Sequence, residues 1–333
     1  MSKVRGEIVS LRQLHEPATP LAWSAIHPAR NIHVVSRTGK NMGDIDQWFL
    51  VLGDVHFDSR QCNRRVLSAL LKTAVERNAV IVSIGDFFDL MQGRNDPRAS
   101  ASSIRLRHVS DAYLDEVIDE AADYWCGSAS GYAATNLAML GQGNHESAFL
   151  KHRGSDPTAG LAQAIRGKCV SPVSVGGYTG WIKYDVSFGP SAENQQRRSL
   201  NIMYHHGAGG GGGQSGGVLD ARRMFAWSPD AQIILASHNH CSNTMGVQRL
   251  RYSSIRGVHR INEEFSEFVR VGTLKQEWGS DGWAVEKGGG PTPCVQKWIR
   301  FFPSRGTRGD TTSDTRVRPS GAWSIDWEVT DAK

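Results

Sequence analysis

Five short apolar runs recur along the chain, and each stops at a polar cluster. Gln47–Leu52 leads into Gly53-Asp54, Ala79–Ile84 into Gly85-Asp86, and Asn136–Leu140 into Gly141. Leu200–Tyr204 leads into His205-His206, and Ala231–Ala236 into Ser237-His238. Continuous apolar runs of this length predict strands buried on both faces. Between them the period lengthens toward 3.6. Val66, Leu67, Leu70, Leu71, Ala74 and Val75 predict a helix within Arg60–Asn78, and Ala112 to Ala122 predicts a second within Val109–Trp125. Asp156–Arg166 reads as a third helix, with Pro157 near its start, where proline is tolerated. Strand and helix alternating over the first half predict an α/β layered core.

Residues 1–46 show no clear period and read as a leader packed on the core or extending from it. A single domain is expected over 47–333. Residues 91–108, rich in Arg, Ser and Asn, read as a surface insertion. Gly207–Gly217 has eight glycines in eleven residues and follows a His-His pair, which suits close approach of backbone N–H groups to a phosphate or metal. It does not fit a nucleotide-binding glycine signature. The part from about 243 to 333 is expected to be β-rich. Its tryptophans and phenylalanines are interleaved with glycine and proline and are read chiefly as core.

Composition narrows the class. The chain has 333 residues, 39% hydrophobic and 21% charged, which is ordinary for a globular protein. Lysine and arginine exceed aspartate and glutamate by 38 − 33 = 5, a mild excess that suits an anionic substrate. The start of the chain lacks the apolar stretch of a signal peptide, and no apolar run is long enough to span a membrane. The five cysteines are scattered, with no CxxC pair. They predict reduced thiols and a cytoplasmic setting rather than a disulfide framework or a zinc knuckle.

The polar clusters carry the chemistry. They are Asp54-Val55-His56, Gly85-Asp86-Phe87-Phe88-Asp89, Gly143-Asn144-His145-Glu146, His205-His206-Gly207 and His238-Asn239-His240. Carboxylate, imidazole and amide groups are the ligands that hard and borderline divalent ions take. A two-metal hydrolytic site needs that set, gathered around ions about 3.5–4 Å apart. Any one cluster occurs by chance; five in this order, each at a predicted strand end, point to one site.

In that order the clusters resemble the calcineurin-like metallophosphoesterase superfamily, whose pattern is DxH, GDxxD, GNH(E/D), H and GHxH. The likeness spans Asp54 to His240. It implies a central β-sandwich flanked by helices, with a dimetal site at strand-end loops. It also implies hydrolysis of phosphate esters through a metal-bridging hydroxide. By the resemblance, Asp54, His56 and His240 hold one ion, Asp86 bridges, and Asn144, His206 and His238 hold the other. His205 is the alternative to His206. His145 is the implied general acid, and Asp89 the carboxylate that orients it. Two divalent ions are implied, manganese first, with iron, zinc or nickel as alternatives. Ser237 departs from the family, which usually has glycine there.

The protein-phosphatase branch carries arginine where this chain has Leu90 and Gln142. The expected substrate is therefore a phosphodiester, nucleotide or nucleic acid such as DNA. The His-His-Gly and glycine run resembles metallophosphoesterases of phage and bacterial type. A phosphomonoesterase or phosphoprotein phosphatase is one alternative, and a non-catalytic module that binds metal and phosphate is another. Arg94, Arg153 and Arg222 are the candidates for holding substrate.

Overall fold

The computed structural model describes residues 21–29, 31–90, 113–209, 218–255, 257–278, 290–305 and 323–333. Two mixed sheets face each other, with helices on their outer sides. In the six-stranded sheet, β3 (Gln47–Leu52), β4 (Val80–Ser83), β5 (Leu137–Leu140) and β6 (Ser174–Val175) run parallel. β12 (Gln296–Arg305) and β13 (Trp323–Ala332) extend its β3 edge antiparallel. The seven-stranded sheet has the order β1 (Trp23–Ala29), β2 (Ile32–Gly39), β7 (Thr179–Phe188), β8 (Gln196–His205), β9 (Ile233–Ala236), β11 (Val258–Arg270) and β10 (Asn243–Ile255). The apolar runs that predict β3, β4, β5, β8 and β9 all form strands.

The layering follows from period-2 alternation. Leu50 and Leu52 of β3 point into a core with Leu67, Leu70 and Leu71 of α1 (Arg64–Glu76), Val117 and Trp125 of α2 (Tyr113–Cys126), and Leu161 and Ile165 of α4 (Pro157–Lys168). Phe49 and Val51 point the other way, into the core between the sheets, with Val80, Val82, Tyr184, Ile202, Ile233 and Leu235. Ile234 and Ala236 of β9 meet Ala221, Met224 and Phe225 of α5 (Val218–Trp227) on the far side. Both faces of the central strands are thus buried, which is why their sequence is continuously apolar. In the C-terminal part, Trp298, Phe301, Trp323 and Trp327 are buried.

Local signals set the helix starts. Asn63 accepts from the Val66 N–H, and Asp156 accepts from the N–H groups of Thr158 and Ala159 ahead of Pro157. Residues 21–46, which have no clear sequence period, supply β1 and β2 at one edge of the seven-stranded sheet. Residues 1–20 and the insertion read at 91–108 lie outside the described residues.

One expectation is corrected. Cys126 and Cys169 form a disulfide across 43 residues. Cys126 ends α2, Cys169 caps α4, and the two helices pack together. Cysteine usage therefore no longer argues for a reducing compartment. Among the described residues no helix is long and apolar enough to cross a membrane.

His33 on β2 is 3% exposed, with its Nδ1 2.9 Å from the Ser174 hydroxyl of the other sheet. Burial, helped by neighbouring His27, lowers its pKa from the usual 6.5 to about 4. The unfolded chain therefore takes up this proton first as pH falls, so the neutral ring's contribution to stability is lost between about pH 6.5 and 4. That loss is roughly 3 kcal/mol on going from pH 7 to pH 4. Denaturant unfolding at a series of pH values should show this slope, and His33→Gln should flatten it.

Candidate metal centre

All five clusters lie at one end of the two sheets. The loops after β3, β4 and β5 come from one sheet, and those after β8 and β9 from the other. Backbone bonds hold the loops together. The Asp54 N–H donates to the Gly85 carbonyl at 3.2 Å, His56 to Asp86 at 3.0 Å, and Ser237 to His206 at 2.8 Å. The His238 N–H crosses between sheets to Asp54 Oδ2 at 2.8 Å.

The backbone is bent to aim these side chains. Asp54, His56, Asp86, His238 and His240 all have positive φ, between 47° and 75°. Such conformations cost free energy in non-glycine residues and gather at functional sites. Two glycines make the crowding possible. A Cβ on Gly85 would sit 2.6 Å from His206 Nδ1, and one on Gly143 would sit 2.0 Å from Asp86 Oδ1. Gly143→Ala should therefore displace Asp86. A misplacement of about 1 Å in a catalytic constellation costs roughly 10²-fold. Turnover kinetics, with circular dichroism to confirm the fold, would check this.

Three groups of potential ligands converge; two hold the predicted ligands, and the third, His56, Asp89 and His145, shares His56 with the first. In the first, Asp54, His56 and His240 meet: the two Nε2 atoms are 3.3 Å apart, and Asp54 Oδ1 is 3.4 Å from that of His240 and 4.0 Å from that of His56. In the second, His206 Nε2 is 3.1 Å from Asp86 Oδ2 and 3.0 Å from Asn144 Oδ1, while His238 Nδ1 is 2.7 Å from Asn144 Oδ1. The structure thus brings together Asp54, His56, Asp86, Asn144, His206, His238 and His240. Between the two adjacent histidines it places His206 in the cluster. The His205 ring lies outside it, accepting from the Gly207 N–H and lying beside Tyr178 and Trp227.

These groups fit a cation. Asp54 Oδ1 is buried with no hydrogen-bond partner among the described residues. Two imidazole Nε2 atoms facing one another across it leave a point that a shared positive charge would satisfy. The electrostatics agree. Burial alone would raise the Asp86 pKa, yet the charges of His206 and His145 and the His206 hydrogen bond hold it well below the usual carboxylate range. Asp54 is lowered in the same way, against its burial, by His240 and His206. In return, and against burial, His206 is pushed up to about 9 by Asp86, and His240 to about 10 by Asp54 and Glu277.

His145 is in the first turn of α3 (Asn144–Arg153), beside the cluster and 7% exposed. Its N–H donates to Asp86 Oδ1 at 2.9 Å, its Nε2 is 3.8 Å from Asp86 Oδ2, and its ring stands edge-on to His56 at 4.9 Å. Asp89 acts on two histidines. Its backbone carbonyl contacts His145 Nδ1, whereas its carboxylate lies 2.8 Å from His56 Nδ1 and 3.8 Å from His145 Nδ1. The carboxylate is therefore closer to a potential ligand than to the acid that the resemblance pairs with it.

Several further residues build the site without being among the predicted ligands. Glu146 is buried and ties the second and third clusters: Oε2 accepts from the N–H groups of Asp86 and Gly143, and Oε1 from that of Phe88. Burial and the Asp86 charge push its pKa up to about 8, against the pull of those donors. Asp58 accepts from the N–H groups of Asp89 and Leu90. Lys275 and Glu277 follow β11 and contact Asp89 and His240. Ser237 places its hydroxyl 3.0 Å from His206 Nδ1 and packs against Gly53. Glu146 belongs to the GNHE motif and could have been sought there; Asp58, Lys275 and Glu277 belong to none.

The candidate substrate arginines are dispersed. Arg153 is exposed at the last turn of α3, and Arg222 is exposed on α5. Arg94 lies outside the described residues, as does most of the glycine run, residues 210–217. Leu90 is buried, and the Gln142 amide donates to the Asp156 carboxylate at 2.8 Å.

No protein-family model matches the chain, and no curated protein matches it. Among solved structures it is similar to an uncharacterised Streptococcus pneumoniae protein described as a predicted phosphoesterase, at 10% identity and TM-score 0.28, over 78% of this chain and 87% of that one. It is also similar to a Thermotoga maritima protein, at 11% identity and TM-score 0.27, over 85% and 99% of the respective chains. An anchor protein of the Plasmodium inner membrane complex aligns at 11% identity and TM-score 0.34, over 77% and 81%. Likeness at this level carries no argument about activity, which rests on the geometry of the site.

Proposed function

We propose that this chain is a metal-dependent phosphoesterase that cleaves phosphodiesters of the nucleotide or nucleic-acid class. One observation carries the reading: five loops from two sheets bring seven carboxylate, amide and imidazole side chains into two adjacent groups, with a buried histidine beside both. Asp54, His56 and His240 would hold one divalent ion, Asn144, His206 and His238 a second, and Asp86 would lie between them. Such ions would supply Lewis-acid polarisation of the phosphoryl group and acidify an attacking water.

The chain's own residues do the rest. Glu146 and the Gly143 contact fix Asp86, and Ser237 and the Ile84 carbonyl fix the His206 ring through Nδ1. His145 is held by its backbone and by the Asp89 carbonyl, so Nε2 is the atom left to give a proton to the leaving oxygen. A carbonyl oxygen can only accept, so the contact makes Nδ1 the donor and leaves Nε2 as the atom turned toward Asp86. The net charge of +5 favours an anionic substrate, and Arg94, Arg153 and Arg222 are the residues we assign to its approach.

Leu90 and Gln142 favour the diester reading over a phosphomonoesterase or phosphoprotein phosphatase. Those two positions offer a buried apolar side chain and an amide already engaged, in place of a clamp for a terminal phosphate. A module that only bound metal and phosphate would have no use for an oriented His145. With Mn²⁺ supplied, the purified chain should hydrolyse bis-p-nitrophenyl phosphate faster than p-nitrophenyl phosphate, and EDTA should stop it. Iron, zinc and nickel belong in the same panel, as do single-stranded DNA and a phosphopeptide. Turnover of the phosphopeptide alone would overturn the diester assignment.

A further inference from the structure

The segment after β11 is pinned to the first cluster by its backbone. The Leu274 N–H and the Thr273 hydroxyl both donate to the Asp54 carbonyl, at 3.0 and 2.9 Å. Asn63 donates to the Leu274 carbonyl, and Gln276 to that of Gln61. From this segment Lys275 and Glu277, two residues apart, reach toward the site. Lys275 is 5% exposed, and its ammonium lies 2.9 Å from Asp89 Oδ1 and 3.6 Å from Glu277 Oε1. Each carboxylate in turn faces the Nδ1 of one histidine: Asp89 that of His56 at 2.8 Å, and Glu277 that of His240 at 2.7 Å. One buried cation thus joins the two carboxylates that lie against the Nδ1 atoms of the two histidines of a single group, and the same segment holds the third member, Asp54, by its backbone. No corresponding contact from Lys275 reaches the His206 and His238 group among the described residues.

We propose that Lys275 is a positioning residue for one metal position only. It holds Asp89 and Glu277 in place so that His56 and His240 both present Nε2 to the ion they would share with Asp54. Without the ammonium, buried Asp89 and half-buried Glu277 lose their common counter-charge and are free to turn away from the imidazoles. Groups that orient a ligating histidine are worth roughly 10–100-fold in metal affinity when removed. The inference rests on the two-ion reading above.

The test is Mn²⁺ binding to the ion-stripped full chain, followed by titration calorimetry and equilibrium dialysis, with turnover left aside. Wild type should take up two ions, and Asp54→Asn identifies the step that belongs to the Asp54 group. Lys275→Met should weaken that step by roughly 10–100-fold and leave the other within about twofold. Because a buried charge is being removed, Glu277→Gln serves as a second variant; it should weaken the same step by a smaller factor. Thermal unfolding confirms which variants are folded. Unchanged binding in folded variants, or equal weakening of both steps, would overturn the role of Lys275 while sparing the two-ion reading. A wild-type chain that binds fewer than two ions would overturn both.

Discussion

Asp86→Asn should abolish phosphoesterase turnover, with a loss on the order of 10³-fold, the scale on which a single preorganised electrostatic group acts in a buried site. Asp86 is where the contacts of the site converge. Its Oδ2 faces His206 and His145, its Oδ1 takes the His145 N–H, and its own N–H is held by Glu146. Asparagine preserves the shape but removes the charge that would lie between two cations and that raises His206 to about 9. The side chain is buried, so solvent cannot replace what is lost. Steady-state kinetics at saturating Mn²⁺ would measure the effect. Activity within a few-fold of wild type would remove Asp86 from the chemistry.

His145→Ala should lower kcat by roughly 10²–10⁴-fold on a diester with a poor leaving group, the range for a lost general acid. The loss should shrink on nitrophenyl esters, whose leaving oxygen needs little protonation. Metal uptake should be retained, because the Asp54, His56, His240 group and the Asp86, His206, His238 group each close without the His145 ring, which joins only His56 and Asp89. Comparing an alkyl with a nitrophenyl diester separates this role from a structural one. Equal losses on both would mean that His145 maintains the site and does not protonate the leaving group.

Much of this site is legible in the sequence because its residues stand where strands end. A run such as Ile233–Ala236 is apolar on both faces, and the first polar residues after it have to face the cleft. The paired parallel strands then bring distant clusters to one end. What stays hidden lacks such a frame. α3 begins within GNHE itself and buries only His145 and Glu146, so no apolar stripe marks it. Lys275 and Glu277 lie in a segment without period, and only the pairing of β11 with β9 carries them to the site. Cys126 and Cys169 are 43 residues apart, so only the packing of α2 on α4 shows that they meet. Neither can sequence alone tell which of two adjacent histidines faces inward. Strand alternation requires that they differ, and the cross-sheet contacts decide for His206.

Two ions held between the sheets would be visible by anomalous diffraction from crystals of the full chain grown with Mn²⁺. Two peaks about 3.5–4 Å apart are expected, one against Asp54, His56 and His240 and the other against Asn144, His206 and His238, with Asp86 reaching both. A single peak, or none within this cluster at a Mn²⁺ concentration that supports turnover, would contradict the two-ion site.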